Sequence, residues 1–228
     1  MGKSVLLAGA TGLVGSQLLE LLLADERIDL VRCVSRRPLE VKSEKLESVV
    51  AGFDSIGELA ELFEVDTVFC CLGTTMKKAG SREAFRKVDY EYPLSLARHA
   101  RQAGVERYVL VSAAGADPNS RIFYNRTKGE VEASIEGLGF PSFDILRPSL
   151  LLGNRDESRL GEDLAKAASP LLNLILRGPL RKYRPMPSSK LAAVMAELPF
   201  SPMGGKRVFE NGQIFEMSQT GQPVIDRT

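Results

Sequence analysis

The chain has 228 residues, 44% hydrophobic and 26% charged, with Gly and Pro near ordinary usage. That composition describes a globular protein able to bury a full core and excludes a disordered, fibrous or disulfide-stapled one. Thirty Lys and Arg offset 29 Asp and Glu, for a formal charge of +1, so no global field recruits nucleic acid or an anionic membrane.

Residues 4–8 form a short apolar run, entered almost directly from Met1 with no separate leader-like segment, and a cytoplasmic location is expected. Next comes the turn Gly9-Ala10-Thr11-Gly12-Leu13-Val14-Gly15, then a helical pattern over 12–24 with Val14, Leu18, Leu21 and Leu22 on one face. Strands are predicted at 30–34, 46–50 and 66–71, with a short helix at 55–63. From 81 to 103 a longer helical pattern meets Pro93, whose ring and missing N–H should kink or split it, and Gly104 supplies a stop. A strand at 107–112, a helix at 123–136 closed by Gly137, and a strand at 142–146 follow.

This alternation predicts an α/β, Rossmann-type fold: a doubly wound parallel sheet covered by helices, with 1–228 as a single NAD(P)-binding domain. After Arg147-Pro148 the rhythm weakens into helical stretches at 161–168 and 188–198, a Pro-rich segment at 183–187 and a short tail element. The apolar run at 171–176 is too short to span a bilayer and reads as a core helix or subunit contact. Residues 148–228 are therefore expected to form a small substrate-facing cap.

The glycine turn sits where a first strand meets a first helix. Glycine lets the backbone turn tightly and approach a pyrophosphate, while the helix N-terminus offers unpaired N–H groups and a positive dipole end. About twenty positions on, where an NAD site would carry an acidic residue for the ribose hydroxyls, this chain has Ser35-Arg36-Arg37. Two guanidiniums grip a 2′-phosphate well, so NADP(H) is the expected cofactor unless these are simply solvated loop arginines. Asp54, after the third strand, is a candidate acceptor for the adenine amino group.

Tyr124 and Lys128 lie four apart in a predicted helix and so share a face. A tyrosine ionises near pH ~10, and a neighbouring ammonium stabilises its phenolate, which is what a tyrosine needs for proton transfer near neutrality. Ser112 ends the preceding strand. Cys33, Cys70 and Cys71 lack zinc or redox spacing and are expected to be reduced and mostly buried, and His99, the only histidine, cannot build a histidine metal cluster and reads as solvated. No metal is expected.

These residues resemble the atypical short-chain dehydrogenase/reductase family, and within it the branch typified by the HIV Tat-interactive oxidoreductase. The likeness runs from Gly9 to about Arg159, through Cys70-Cys71-Leu72-Gly73-Thr74-Thr75, Ser112-Ala113-Ala114-Gly115-Ala116-Asp117, Tyr124 to Glu132, Leu146-Arg147-Pro148 and Arg155-Asp156-Glu157-Ser158-Arg159. It implies that Leu72, Gly73 and Thr74 pass close to the cofactor, that Tyr124 and Lys128 are the catalytic pair, and that Leu151 and Arg159 also line the cofactor site. The family pattern tends to carry two consecutive serines where this chain has Ser112 followed by Ala113. Ser112 is then either the third catalytic group or a strand-end packing residue, with Ser120 or Thr74 as substitute hydroxyls.

The leading expectation is an NADPH-dependent oxidoreductase acting on a small carbonyl or alcohol through Tyr124, Lys128 and Ser112. The alternatives are an NADPH-binding regulator or redox sensor with little turnover, and a sugar-nucleotide epimerase or dehydratase. Expected partners are the small-molecule substrate and either a protein partner or a second copy, with neither nucleic acid nor membrane.

Overall fold

The structure is a computed structural model, and it describes residues 2–153 and 184–220. The stretches expected at 161–168 and 171–176, together with Arg159, lie outside the described residues.

Seven strands build one sheet: β1 (Lys3–Ala8), β2 (Ile28–Ser35), β3 (Leu46–Val50), β4 (Thr67–Cys70), β5 (Arg107–Val111), β6 (Ser142–Arg147) and a late strand, Gly205–Glu210. Their order is β3-β2-β1-β4-β5-β6 followed by the late strand, and every neighbouring pair runs parallel. The central strands read as continuous apolar runs because a parallel sheet is covered on both faces; Val68, Phe69, Val109 and Ile145 are fully buried. The chain reverses its winding between β1 and β4, which opens a crevice at the carboxyl ends of those strands.

On one face of the sheet lie α1 (Leu13–Ala24) and two C-terminal helices, α6 (Ser188–Glu197) and α7 (Asn211–Thr220). Val14, Leu18, Leu19 and Leu22 of α1 are buried, while Leu21 is 40% exposed. At 100° per residue the buried arc centres between Leu18 and Leu22, so Leu21 falls on its rim rather than in its middle. On the other face pack α4 (Tyr92–Gln102) and α5 (Phe123–Glu136). Two single-turn helices, α2 (Met76–Ala79) and α3 (Arg82–Arg86), precede α4 and start on side-chain caps from Thr75 and Ser81.

Three expectations are corrected. Residues 53–63 form two 3₁₀ turns, Phe53–Glu58 and Ala60–Phe63, instead of one α-helix. Their anchors Phe53, Ile56, Leu59 and Leu62 recur every third residue, which is the 3₁₀ period. Pro93 does not split its helix: a π-turn at Lys87–Glu91 runs directly into α4, and Tyr92 N–H bonds to Lys87 O. The wider turn makes room for a ring that would otherwise meet the carbonyl four residues back. His99 is half-buried against Phe63, with ring centroids 5.8 Å apart, rather than solvated.

The C-terminal stretch divides between two jobs. Leu151–Leu152 (β7) and Met186–Pro187 (β8) pair as a small separate ribbon beside the crevice. The late strand, β9, instead completes the main sheet, where Arg207 grips the fully buried Asp144 of β6 at 2.6 Å.

Candidate cofactor and active site

The register aligns Ala8 with Cys70, Cys70 with Leu110, and Leu110 with Ile145. The loops leaving β1, β4, β5 and β6 therefore emerge along one edge, and they enclose a cavity of about 1080 Å³. Gly12, Leu13 and Val14 line it from the glycine turn, Leu72 to Thr75 from the β4 loop, Ser112 to Ala114 from the β5 loop, and Tyr124 and Lys128 from α5. Leu151 faces it from β7.

The turn is built on two glycines that nothing larger replaces freely. Gly9 takes φ +92°, and a Cβ there would stand 2.7 Å from the Cys71 carbonyl oxygen. A Cβ on Gly15 would stand 2.0 Å from the carbonyl oxygen of Gly9, so helix and turn are in backbone contact. Ala10 is buried beneath the turn and Thr11 is exposed. Gly12 caps α1 without any side-chain hydrogen bond, so the first-turn N–H groups are left for another acceptor. A backbone cradle, an uncapped helix start and a cavity of this size suit a dinucleotide pyrophosphate.

Ser35 is buried at the end of β2, and its hydroxyl donates to the Arg37 carbonyl at 2.5 Å. Arg36 and Arg37 are exposed. Val34 pairs with Ala8, which brings the two arginines to the same edge as the glycine turn, outside the lining of the cavity.

Tyr124 is half-buried, its ring 5.5 Å from that of Phe85. One turn on, the Lys128 side chain is 5% exposed and its Nζ meets Asp89 Oδ1 at 2.7 Å. Burial works against the ammonium, but the charges of Asp89 and then Tyr124 outweigh it, and Lys128 is held above the ordinary lysine range. Burial pushes the Cys71 thiol well up, and its neighbours Cys70 and Cys33 push it further, so it is no nucleophile near neutrality.

Ser112 lines the cavity, yet its hydroxyl donates to Glu132, a buried carboxylate that also binds Arg147 at 2.5 Å. The structure thus gives Ser112 a partner behind the site, and Ala113 supplies no hydroxyl at the second position. Thr74 lines the cavity, while the Ser120 hydroxyl accepts the Ile122 N–H beyond its lining. The Asp54 carboxylate is engaged by Lys87 at 2.9 Å and by the Tyr92 hydroxyl.

The residue that the sequence reading missed is Asp89. Its signal was present, an acid on the apolar stripe Phe85, Pro93, Leu96 and Ala100, all buried on the helix face turned to the sheet. Gln17, Ser188 and Ser189 also line the cavity unforeseen, and Gln17 donates to the Ser188 hydroxyl at 2.8 Å. Among the described residues there is no cluster of His, Cys, Asp and Glu fit for a metal, and no helix long and apolar enough to cross a membrane.

The fold and this site define a Rossmann-type dinucleotide-binding protein. A family model described as NAD(P)H-binding matches residues 9–160. The chain belongs to that NAD(P)H-binding family. It is 40% identical over 168 residues to protein HTATIP2 of Rattus norvegicus, covering 72% of this chain and 69% of that one. To the mitochondrial protein FMP52 of Meyerozyma guilliermondii it is 39% identical over 179 residues, covering 77% of each. In fold it is similar to MoeE5 in complex with UDP-glucose and NAD, at 20% identity and TM-score 0.67, over 96% of this chain and 83% of that one. The Bordetella bronchiseptica enzyme WbmH in complex with NAD+ is similar too, at 17% identity and TM-score 0.68, over 95% and 79%.

Proposed function

We propose that the protein is an NADPH-dependent oxidoreductase of the carbonyl reductase or alcohol dehydrogenase type. The observation that carries this reading is the joint presence of Tyr124 and Lys128 on the wall of the cavity that begins at the glycine turn. The glycine turn and the first turn of α1 would hold the pyrophosphate, Leu72, Gly73 and Leu151 would border the nicotinamide half, and Arg36 and Arg37 would take the 2′-phosphate. Bound NADPH would supply the hydride for the carbonyl carbon. The Tyr124 hydroxyl gives its proton to the carbonyl oxygen, and Lys128 holds the ribose and stabilises the phenolate left behind. Purified protein with NADPH and a panel of aldehydes and ketones tests this. Tyr124→Phe should lower turnover about 10²- to 10⁴-fold with little change in NADPH affinity, and an unchanged rate would remove the mechanism.

One observation favours a second reading, a cofactor-binding regulator with negligible turnover. The serine expected to face the substrate is engaged by Glu132, and its neighbour is Ala113. Tight NADPH binding without turnover across the whole panel would select it. A cytoplasmic location is also proposed, and cell fractionation sets it against the mitochondrial names of the fungal relatives.

A further inference from the structure

The register of the last strand sets one buried amide behind the wall of the cavity. β9 pairs with β6 so that Glu210 stands beside Arg147. The next residue, Asn211, therefore comes level with Pro148, where the chain leaves the sheet and begins to line the cavity. Asn211 is 1% exposed and lies outside that lining.

A buried asparagine needs partners for both its oxygen and its nitrogen. Here the oxygen accepts the Ser149 N–H at 3.0 Å, and the nitrogen donates to the Arg184 carbonyl at 3.0 Å. The Ser149 hydroxyl donates to the same carbonyl. Ser149 follows the end of β6 and Arg184 precedes β8, so one side chain holds both the outgoing and the returning chain.

What is held is a stretch of cavity wall. The Pro148 carbonyl accepts the Ala114 N–H at 2.8 Å, and the Leu150 carbonyl accepts the Met186 N–H at 2.9 Å. Residues 148–150 thus line the cavity on three anchors, of which the middle one is the Asn211 amide. On either side of Ser149 that wall is apolar, Pro148 and Leu150, and it adjoins the β5 loop that follows Ser112. The glycine turn is held by other contacts, the close backbone approach of Gly9 to Cys71 and of Gly15 to Gly9. A change at Asn211 therefore reaches one wall of the cavity and spares the other.

We propose that Asn211 is the positioning residue of this wall: by clamping Ser149 to Arg184 it sets how large an apolar substituent the site admits beside Tyr124. It acts through its two partners and touches neither substrate nor cofactor. The consequence for substrate choice rests on the oxidoreductase reading, while the clamp itself does not. A wall free to shift by about 1 Å alters both the space beside the reacting carbonyl and its alignment.

Asn211→Asp and Asn211→Ala separate the two bonds. Asp keeps an acceptor for the Ser149 N–H but sets an oxygen against the Arg184 carbonyl, whereas Ala removes both partners. Amide hydrogen exchange followed by NMR reads the clamp without any substrate. In Asn211→Asp the Met186 N–H should exchange about fivefold faster with the Ser149 N–H unchanged, and in Asn211→Ala both should quicken about that much. The Cys71 N–H, bonded to the Ala8 carbonyl at 2.9 Å, is the control and should not move. Either variant serves if the other does not fold. With NADPH, the ratio of kcat/KM for bulky aryl ketones to that for short aldehydes should rise about fivefold or more, and NADPH affinity should stay within about threefold of the parent. That ratio does not depend on how much of the protein is folded. Unchanged exchange at both amides overturns the proposal. So does a ratio fixed at the parent value while both rates fall together, which is what a purely structural Asn211 would give. Faster exchange in a protein that reduces no carbonyl would uphold Asn211 as the clamp of this wall while the oxidoreductase reading falls.

Discussion

Gly15→Ala is the sharpest mechanical test of the glycine turn. The added Cβ would lie 2.0 Å from the Gly9 carbonyl oxygen and 2.8 Å from its carbon, where ordinary contact begins near 3.4 Å. Both obstacles are backbone, so no side chain can swing aside, and α1 must retreat by more than ~1 Å. That helix carries Val14, Leu18 and Leu22 into the core, and the overpacking should cost about 2–3 kcal/mol, or roughly 4–12 °C in Tm for a chain of this size. The same retreat withdraws the uncapped N–H groups from the pyrophosphate, and NADPH affinity should fall by about tenfold or more. Gly12→Ala is the control. Its Cβ would stand 3.2 Å from the same oxygen, a shortfall of tenths of an ångström, so stability should hold while the new methyl, on the cavity wall, still weakens binding. Differential scanning calorimetry and a fluorescence titration with NADPH read both quantities. A Gly15→Ala protein that melts within a degree of the parent, or one more stable than Gly12→Ala, refutes the contact argument.

Other expectations follow from the same geometry. Replacing Arg36 and Arg37 by Ala should weaken NADPH binding about 10- to 100-fold and leave NADH nearly unchanged; equal losses for both would show that the arginines do not read the 2′-phosphate. Ser112→Ala should cost about 1 kcal/mol of stability and less than about tenfold in turnover, because its hydroxyl serves Glu132; a loss matching that of Tyr124→Phe would restore Ser112 to the reacting group. Arg27, which also reaches Glu197 of α6, holds the Asp25 carboxyl below its usual range through side-chain hydrogen bonds. A depressed folded-state value adds stability that is present above about pH 4 and fades as pH falls through that lower value. Urea unfolding between about pH 6 and pH 3 should therefore show a shallower acid loss in Asp25→Asn, and identical slopes would exclude the effect.

What could be read from the sequence was what depends on near neighbours. The glycine turn, the four-residue spacing of Tyr124 and Lys128, and six of the sheet strands carry local signals, and each lies within a few residues of its expected place. What escaped depends on distant partners. β9 buries little besides Phe209, and it is a strand because β6 offers an open edge and Asp144 needs Arg207. The identity of the Ser112 partner required knowing that α5 sets Glu132 behind the β5 end. The apolar stripe already faces Asp89 inward, but its partner Lys128 comes from a different helix, which the local pattern does not reveal. The 3₁₀ turns at 53–63 had a visible period of three, which a search for 3.6 does not detect.

The late arrival of β9 bears on how the chain is made. The strands that carry the glycine turn, Ser112 and the loops around Tyr124 are complete by Arg147, but the edge of β6 waits for Gly205–Glu210. During synthesis from the N-terminus the nascent sheet thus displays the unpaired edge of β6 while the following segments emerge. Such an edge is a template for pairing with another chain. Asp144 aggravates the interval, since until Arg207 arrives its carboxylate has only Arg107, at 3.6 Å, as an ion-pair partner among the described residues. A fragment ending before Gly205 would hold most of the site and still be the form most prone to aggregate.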